Sequence, residues 1–235
     1  YSLAVSGKIK EVVSKYKVDL IESCEARAEG FWYYLFRKKP PLVIRLHTPE
    51  TAAFKLDHAP KTLDYFLIKL LEEFWINKAA QRIGLSEAVV RLTARHFSMK
   101  LINVPLLPNP IDIELLKPSL SASENNSLEI LYVGRLEFRK GVHTLIRAFK
   151  DVQENVPQAE LTFIGADCGM KDYLLSKTLQ LRYPEKVKFI EQLPRNRLVE
   201  YYQRSTVCVV PSIWENYPYA CLEAMACGKP VIACD

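Results

Sequence analysis

Several absences narrow the possible functions of this 235-residue chain. It shows no signal peptide and no apolar run long enough to span a bilayer, which argues against an integral membrane protein. Its six cysteines include no Cys-x-x-Cys pair, so a zinc site is disfavoured and free buried thiols in a reducing compartment are the simpler account. We therefore expect a cytoplasmic location, with peripheral contact to the inner face of the membrane as a second option.

Common nucleotide-binding and metal-binding motifs are missing as well. Neither the G-x-G-x-x-G fingerprint nor a Walker A loop occurs in the sequence, which argues against a dehydrogenase. No Asp-x-Asp pair or His/Asp cluster demands a metal ion, so we expect no cofactor and no metal requirement. The net charge of +5 is modest and favours anionic ligands rather than nucleic acid.

The second half alternates short apolar runs with helical patterns, which is typical of βαβ units and a parallel, doubly wound sheet. Its predicted strands are 128–133, 161–164, 187–190, 207–210 and 231–233. In the first half we predict strands at 18–21, 42–46, 82–85 and 104–107, and helices ending at 16 and over 30–39, 63–80 and 86–97. Residues 117–127 are polar and rich in Ser and Asn. We therefore predict a domain over 1–112, a linker over 113–127 and a second domain over 128–235.

The stretch 211–230, PSIWENYPYACLEAMACGKP, carries two carboxylates at a defined spacing. Glu215 lies in the loop after a predicted strand, and Glu223 lies in an otherwise apolar helix predicted over 219–227 that should be buried. A buried carboxylate is costly unless it is hydrogen-bonded, and the N–H groups at a helix start suit an anion. A polyhydroxylated anionic ligand fits these features, and a packing helix with one salt-bridged Glu fits them equally well.

The first βα turn of the second half, VGRLEFRKG over 133–141, offers two cations beside a helix start. Arg135 can bind a phosphate bidentately, and Lys140 can add a point charge. Taken alone, the turn is explained slightly better as a solvated basic loop.

Together, the two motifs resemble the signature of family-four retaining glycosyltransferases, the glycosyltransferase group 1 proteins of the GT-B fold. The glutamate pair followed by AMACGKPVIA and the turn G-R-L-x-x-x-K-G both match. The resemblance is strong over 128–235 and weaker over 18–112. It implies an α/β protein with two Rossmann-like domains that have parallel sheets and face one another across a cleft. It also implies a metal-independent hexosyltransferase of polysaccharide biosynthesis, which transfers sugar from a UDP- or GDP-sugar to a glycan or lipid-linked acceptor.

The resemblance also implies roles for individual residues. Glu215 would act beside the reacting sugar, and Glu223 would hold the ribose hydroxyls. His47, in RLHTP after the strand 42–46, would reach the donor sugar, although a loop histidine with no role is the alternative. The cations Arg135 and Lys140 would hold the diphosphate in place of a metal. The other expected donor-binding residues are Gly134, Gly165, Leu193, Asn216, Tyr217, Pro218 and Tyr219.

Departures from the family pattern keep alternatives open. Pro110 replaces the glycine of the family's Asn-Gly-Ile-Asp turn, and no glycine-rich first βα turn precedes Lys8. Since that turn is missing and the sequence stops directly after the predicted strand 231–233, we expect an incomplete first domain and a second domain without its last elements, in either a fragment or a diverged short form. A non-catalytic nucleotide-sugar-binding module and a GT-B epimerase or phosphorylase are the other candidates. Aromatic residues beside Arg37, Lys38 and Lys39 fit membrane contact, but core packing with a solvated basic end explains them better.

Overall fold

The computed structural model describes residues 2–37, 39–56, 60–119 and 128–234. The chain divides into two compact units, Tyr1–Asn109 (unit 1) and Pro110–Asp235 (unit 2). In the predicted linker, residues 120–127 lie outside the described residues, whereas 113–119 belong to unit 2.

Unit 1 is built on a parallel three-stranded sheet with the order β1-β2-β3. Its elements are α1 (Ser2–Lys15), β1 (Ile21–Cys24), α2 (Phe31–Tyr34), β2 (Leu42–Leu46), α3 (Glu50–Leu56), α4 (Leu63–Lys78), β3 (Gln81–Gly84) and α5 (Glu87–Phe97). The central strand β2 buries Leu42, Ile44 and Leu46 in the same hydrophobic cluster as Trp75 of α4, which is fully buried. Burial of this apolar surface is the main stabilising contribution to the unit.

Unit 2 is a parallel five-stranded sheet with the order β6-β5-β4-β7-β8. Its elements are β4 (Glu129–Val133), α6 (Val142–Asn155), β5 (Glu160–Ile164), α7 (Lys171–Thr178), β6 (Val187–Ile190), α8 (Arg195–Arg204), β7 (Val207–Val210), α9 (Tyr219–Ala226) and β8 (Val231–Ala233). The chain moves outward from β4 through β5 to β6, and then returns to the other side of β4 for β7 and β8. This is the doubly wound arrangement that the alternating pattern predicts.

Glycine fixes the start of α6. Gly141 has a φ of 69°, in the left-handed region that favours glycine. A Cβ atom at this position would also overlap the carbonyl oxygen of Pro211. The start of α6 therefore lies directly against the end of β7.

The prediction of a strand over 18–21 is wrong, because β1 begins at Ile21. Ile21 pairs with Leu42, the first residue of β2, and its N–H donates to the carbonyl of Pro41. A strand extends only while its neighbour offers backbone hydrogen-bonding partners. Pro40 and Pro41, which precede β2, have no backbone N–H to donate, so pairing with β1 does not continue past them. A second predicted strand, 104–107, is reduced to one parallel bridge between Gly84 and Leu106.

The helix predicted over 30–39 is also shorter than expected, since α2 ends at Tyr34. The buried hydroxyl of Tyr34 donates to the carbonyl of Pro40, so the chain folds back across this ring. Trp32 and Phe36 are exposed rather than packed in the core, and Lys38 lies outside the described residues. The expectation of a fully buried α9 is wrong in part, because Met225 is 63% exposed.

Candidate active site

The site lies at the carboxyl ends of β4 and β7, which are parallel neighbours. The chain leaves β4 toward one edge of the sheet and leaves β7 toward the other, so this is the topological switch point. In open α/β sheets, ligands bind outside the carboxyl ends of strands at such a point. The turn that carries Arg135 and Lys140 follows β4, and the loop that carries Glu215 follows β7.

Two βα turns approach closely at this edge. A Cβ atom on Gly165 would overlap the carbonyl oxygen of Gly134, so glycine is required where the turns meet. The turn after β4 is also held from beneath, because the buried hydroxyl of Tyr132 donates to the carbonyl of Arg135 at 2.7 Å. These contacts hold the backbone of the two turns in place where they border the site.

Lys140 and Glu215 form an ion pair across 75 residues of sequence. The Lys140 Nζ lies 2.6 Å from Glu215 Oε1, and the Ser212 hydroxyl donates to the same oxygen at 2.7 Å. Both donors reach Oε1, so Oε2 is the oxygen of Glu215 that can face a ligand. Lys140 was expected to serve a phosphate alone, but the structure couples it to the first glutamate.

Arg135 holds a more open position in the same turn. Its side chain is 55% exposed, and its guanidinium lies 3.2 Å from the carboxylate of Glu137. Glu137 is also bonded to Arg139 at 2.9 Å. Because the Arg135 end of this ion pair is exposed, solvent screens the attraction, and the pair competes little with an incoming phosphate.

Glu223 is 7% exposed on α9, and its burial is explained by specific partners. The hydroxyl of Tyr202, on α8, donates to Glu223 Oε2 at 2.9 Å. The guanidinium of Arg195 lies 4.0 Å from the other oxygen, Oε1. Burial and then the neighbouring Glu223 raise the pKa of Tyr202, so this tyrosine is a neutral donor. Sequence reasoning missed Tyr202, Arg195 and Ser212, because only the fold brings them to the glutamates.

Two adjoining clefts collect nearly all the residues that we expect in unit 2. The larger has a volume of about 520 Å³ and is lined by Gly134, Arg135, Lys140, Glu215, Tyr217, Pro218, Tyr219 and Glu223, among others. The second, of about 370 Å³, shares Gly134, Arg135 and Glu223, and adds Gly165 and Leu193. Asn216 follows Glu215 in the chain but lines neither cleft.

His47 belongs to unit 1 and follows β2 directly. Its backbone N–H donates to the buried carboxyl group of Glu25, with both oxygens within 3.0 Å. Burial and then the charge of Arg45 lower the pKa of the His47 imidazole. Near neutral pH the ring is therefore mainly uncharged.

Within the described residues, no group of three or more His, Cys, Asp or Glu side chains could hold a metal ion. The expectation that the protein needs no metal stays a prediction. The same part of the chain contains no helix that combines the length and apolar character required to cross a membrane.

The sequence model described as glycosyl transferases group 1 matches residues 117–235, which is half of the chain. The chain belongs to this family. The model described as Glycosyltransferase Family 4 matches residues 1–115.

One similar relative is the D-inositol 3-phosphate glycosyltransferase of Corynebacterium diphtheriae, with 27% identity over 82% of this chain and 49% of the relative. The glycogen synthase of Mycobacterium tuberculosis is 26% identical over 70% of this chain and 40% of its own length. The chain thus spans less than half the length of these curated relatives.

Solved structures show the fold of this glycosyltransferase family member. The sucrose-phosphate synthase of Thermosynechococcus elongatus matches with a TM-score of 0.78 and 24% identity, covering 97% of this chain and 59% of that protein. HepE of Anabaena, solved in complex with UDP-glucose, matches with a TM-score of 0.75 and 22% identity, covering 97% of this chain and 62% of that protein. The predicted fold class, α/β of the GT-B type with parallel sheets, is confirmed.

Proposed function

We propose that this chain binds a nucleotide-diphosphate sugar in unit 2 and takes part in retaining transfer of a hexose, from a UDP- or GDP-sugar to a glycan or lipid-linked acceptor. The observation that carries the proposal is the meeting of Arg135, the Lys140–Glu215 pair and Glu223 in one cleft at the switch point. The UDP-glucose complex of the similar HepE fold supports the choice of ligand.

The phosphate end of the donor would lie against the cations and the start of α9. Negative charge grows on the departing nucleotide diphosphate as the bond to the sugar breaks, and preorganised donors that meet this charge lower the barrier. Arg135 supplies a guanidinium, and Tyr219 and Ala220 bring the first turn of α9 to the same cleft. The first N–H groups of a helix have no intrahelical acceptor, so they can bind an anion. Such an arrangement needs no metal ion.

Lys140 would connect the phosphate end to the sugar end. An ammonium group has three donors, so Lys140 can keep its bond to Glu215 and still reach a phosphate oxygen. With Oε1 held by Lys140 and Ser212, Oε2 of Glu215 can accept from a sugar hydroxyl or face the charge that develops on the sugar ring. Glu215 is therefore the proposed catalytic carboxylate.

Glu223 would bind the ribose. Tyr202 donates to Oε2, and Glu223 lines both clefts, so its other oxygen, Oε1, is the one that would accept from a ribose hydroxyl. Gly165, Leu193 and Gln192 line the second cleft, where we place the nucleoside. The donor-binding role of Asn216 stays a prediction. Its support is its position next to Glu215 in the chain, because Asn216 lines neither cleft.

A thermal-shift screen with UDP, GDP, ADP and their sugars tests the proposal. A ligand that binds only the folded protein raises its stability by mass action. We expect UDP or GDP and its sugar to raise the melting temperature, with and without EDTA. No shift with any nucleotide would contradict the proposal, and a shift that EDTA abolishes would contradict metal independence.

A second assay separates the alternative functions. Transfer of radiolabelled sugar from the bound donor to an acceptor would distinguish an enzyme from a non-catalytic binding module. Release of free epimerised sugar would indicate an epimerase, and dependence on inorganic phosphate would indicate a phosphorylase.

Membrane contact and cytoplasmic location stay predictions. Unit 1 has 17 Lys and Arg residues against 11 Asp and Glu, whereas unit 2 has 15 against 16, so an anionic surface would attract unit 1. The exposed rings of Trp32 and Phe36 lie on the same unit. Sedimentation with phosphatidylserine vesicles, but not with phosphatidylcholine vesicles, is the expected outcome of such contact.

A further inference from the structure

Two carboxyl groups of unit 1, those of Glu25 and Glu72, are fully buried. Both accept hydrogen bonds from the short segment 47–51, which runs from the end of β2 into the first turn of α3. Glu25 follows β1, and Glu72 lies on α4. The segment that carries His47 is therefore held at both ends by buried acids from other elements.

Glu25 acts where backbone pairing between β1 and β2 stops. The last paired residues are Cys24 and Arg45, so Glu25 lies beside the end of β2. The His47 N–H lies 2.9 Å from Oε1 and 3.0 Å from Oε2 of Glu25. The carboxyl group thus replaces the next hydrogen bond of the sheet, and it fixes the main chain at the residue whose ring we expect to act on the donor.

Glu72 makes a similar contact three residues further along the chain. It accepts from the Glu50 N–H at 2.7 Å and from the Thr51 hydroxyl at 2.6 Å. The Thr51 hydroxyl also lies 2.8 Å from Nε2 of the buried His96. These bonds cap α3 and leave His47 untouched, so Glu72 is a matched comparison for Glu25 in burial and chemistry.

Stability alone does not explain a carboxyl group at position 25. Burying a carboxylate is expensive, and an apolar side chain of similar size is often neutral or stabilising at such a place. Burial raises the pKa of Glu25 to about 7, which shows that the site disfavours its charge. Both oxygens of this costly carboxyl group lie near one backbone N–H, that of His47. This geometry is the one expected if the role of Glu25 is to position His47.

We propose that Glu25 is a positioning residue that fixes the backbone of His47 and thereby sets the location of the imidazole at the carboxyl end of β2. The effect of Glu25 on sugar transfer rests on the proposed function. Its effect on the position of His47 does not. An effect on His47 itself can therefore be measured without any substrate.

Nuclear magnetic resonance of the full chain tests the structural part. The chain has four histidines, so its imidazole signals are few, and His47→Gln assigns the one of interest. In Glu25→Ala we expect the His47 amide and ring signals to move and the imidazole pKa to rise toward its ordinary value. In Glu25→Gln the amide oxygen can still accept one bond, so the ring signal should stay near its wild-type position.

Glu72→Gln is the control, and it should move the amide signals of Glu50 and Thr51 while the His47 ring signal stays in place. Unchanged His47 signals in folded Glu25→Ala would overturn the proposal, and so would equal displacement in Glu72→Gln. If Glu25→Ala does not fold, Glu25→Met decides, because its side chain is of similar size but has no oxygen to accept the bond from the His47 N–H. Displaced His47 amide and ring signals in Glu25→Met then support the proposal, and unchanged ones overturn it.

A turnover assay with UDP-glucose tests the functional part. We expect Glu25→Ala to lower kcat by about tenfold to a hundredfold, since small displacements of catalytic groups have effects of this size. The affinity for UDP should stay unchanged, because the proposed UDP site lies in unit 2. Failure of the wild-type chain to bind UDP would contradict the proposed function and leave the resonance result for Glu25 standing.

Discussion

Carboxyl groups in the two units have different partners. In unit 2, the half-buried Glu215 and the buried Glu223 are bonded by the side chains of Lys140, Ser212 and Tyr202, and both border a cleft. In unit 1, Glu25 and Glu72 accept mainly from backbone N–H groups. A buried acid therefore does not by itself mark a ligand site, and the buried Glu129 of unit 2, which lines neither cleft, is a further example. An acid can serve a ligand only where it also borders a cleft, as Glu215 and Glu223 do.

The largest expected effect concerns how the free energy of unfolding depends on pH. Burial raises the folded-state pKa of Glu25 from 4.5 to about 7, so its contribution to the free energy of unfolding is fully present below pH 4.5 and is lost as the pH rises through 7. Burial lowers the pKa of His96 from 6.5 to about 4, so its contribution is present above pH 6.5 and is lost as the pH falls through 4. The two effects oppose each other, and each amounts to about 3 kcal/mol.

Urea unfolding between pH 4 and 8 measures this balance. Relative to wild type, Glu25→Gln should gain stability as the pH rises, and His96→Gln should lose it. The exposed Glu11→Gln serves as the control and should follow wild type. Parallel curves for all four proteins would contradict the assigned pKa shifts.

The next largest effect concerns catalysis in unit 2. Glu215→Gln should lower kcat by about 10²-fold, comparable to the loss of one preorganised electrostatic group. The affinity for bare UDP should not fall, because Lys140 loses an ion-pair partner and becomes more available to phosphate. Initial rates with UDP-glucose and calorimetric titration with UDP measure the two quantities. Weaker UDP binding with an unchanged rate would reverse the roles that we assign.

A smaller effect is expected for the cations. Arg135→Ala and Lys140→Ala should each weaken UDP binding roughly tenfold, because one charge-assisted contact is worth about 1.5–3 kcal/mol. Lys150→Ala is a suitable control, since Lys150 is exposed on α6 and lines neither cleft. Unchanged calorimetric affinity in both variants would show that the diphosphate binds elsewhere.

The smallest effect tests the support of Glu223. Tyr202→Phe removes only the hydroxyl that donates to Oε2, and we expect UDP affinity to fall about threefold to tenfold. Tyr34→Phe removes an equally buried hydroxyl, bonded to Pro40 in unit 1, and should leave UDP binding unchanged. Titration with a UDP analogue that lacks the ribose hydroxyls sharpens the test. Wild type and Tyr202→Phe should bind that analogue with equal affinity.

Much of unit 2 could be predicted from the sequence, since its strands are apolar runs bounded by glycine or proline. The turn with Arg135 and the loop with Glu215 follow predicted strands, so their meeting at one sheet edge follows from parallel pairing. The bond between Lys140 and Glu215 could not be predicted, because it depends on the order of the strands rather than on local pattern.

Unit 1 was harder to predict because its local signals are ambiguous. The strand predicted over 18–21 begins at Ile21 instead, since its partner β2 begins only after Pro41. That shift moves Glu25 from a loop to the end of a strand, beside His47. The helix α3 was missed as well, because its first turn is capped from α4 by Glu72, which no local pattern indicates.

Calorimetric titration of UDP into wild type, Glu223→Gln and Glu72→Gln tests the central claim most directly. The comparison between the units predicts that wild type binds, that Glu223→Gln binds at least about tenfold more weakly and that Glu72→Gln binds as wild type does. Equal losses in the two variants, or a wild-type chain that does not bind UDP, would contradict the claim that Glu223 of unit 2 serves a nucleotide ligand and Glu72 of unit 1 serves the chain.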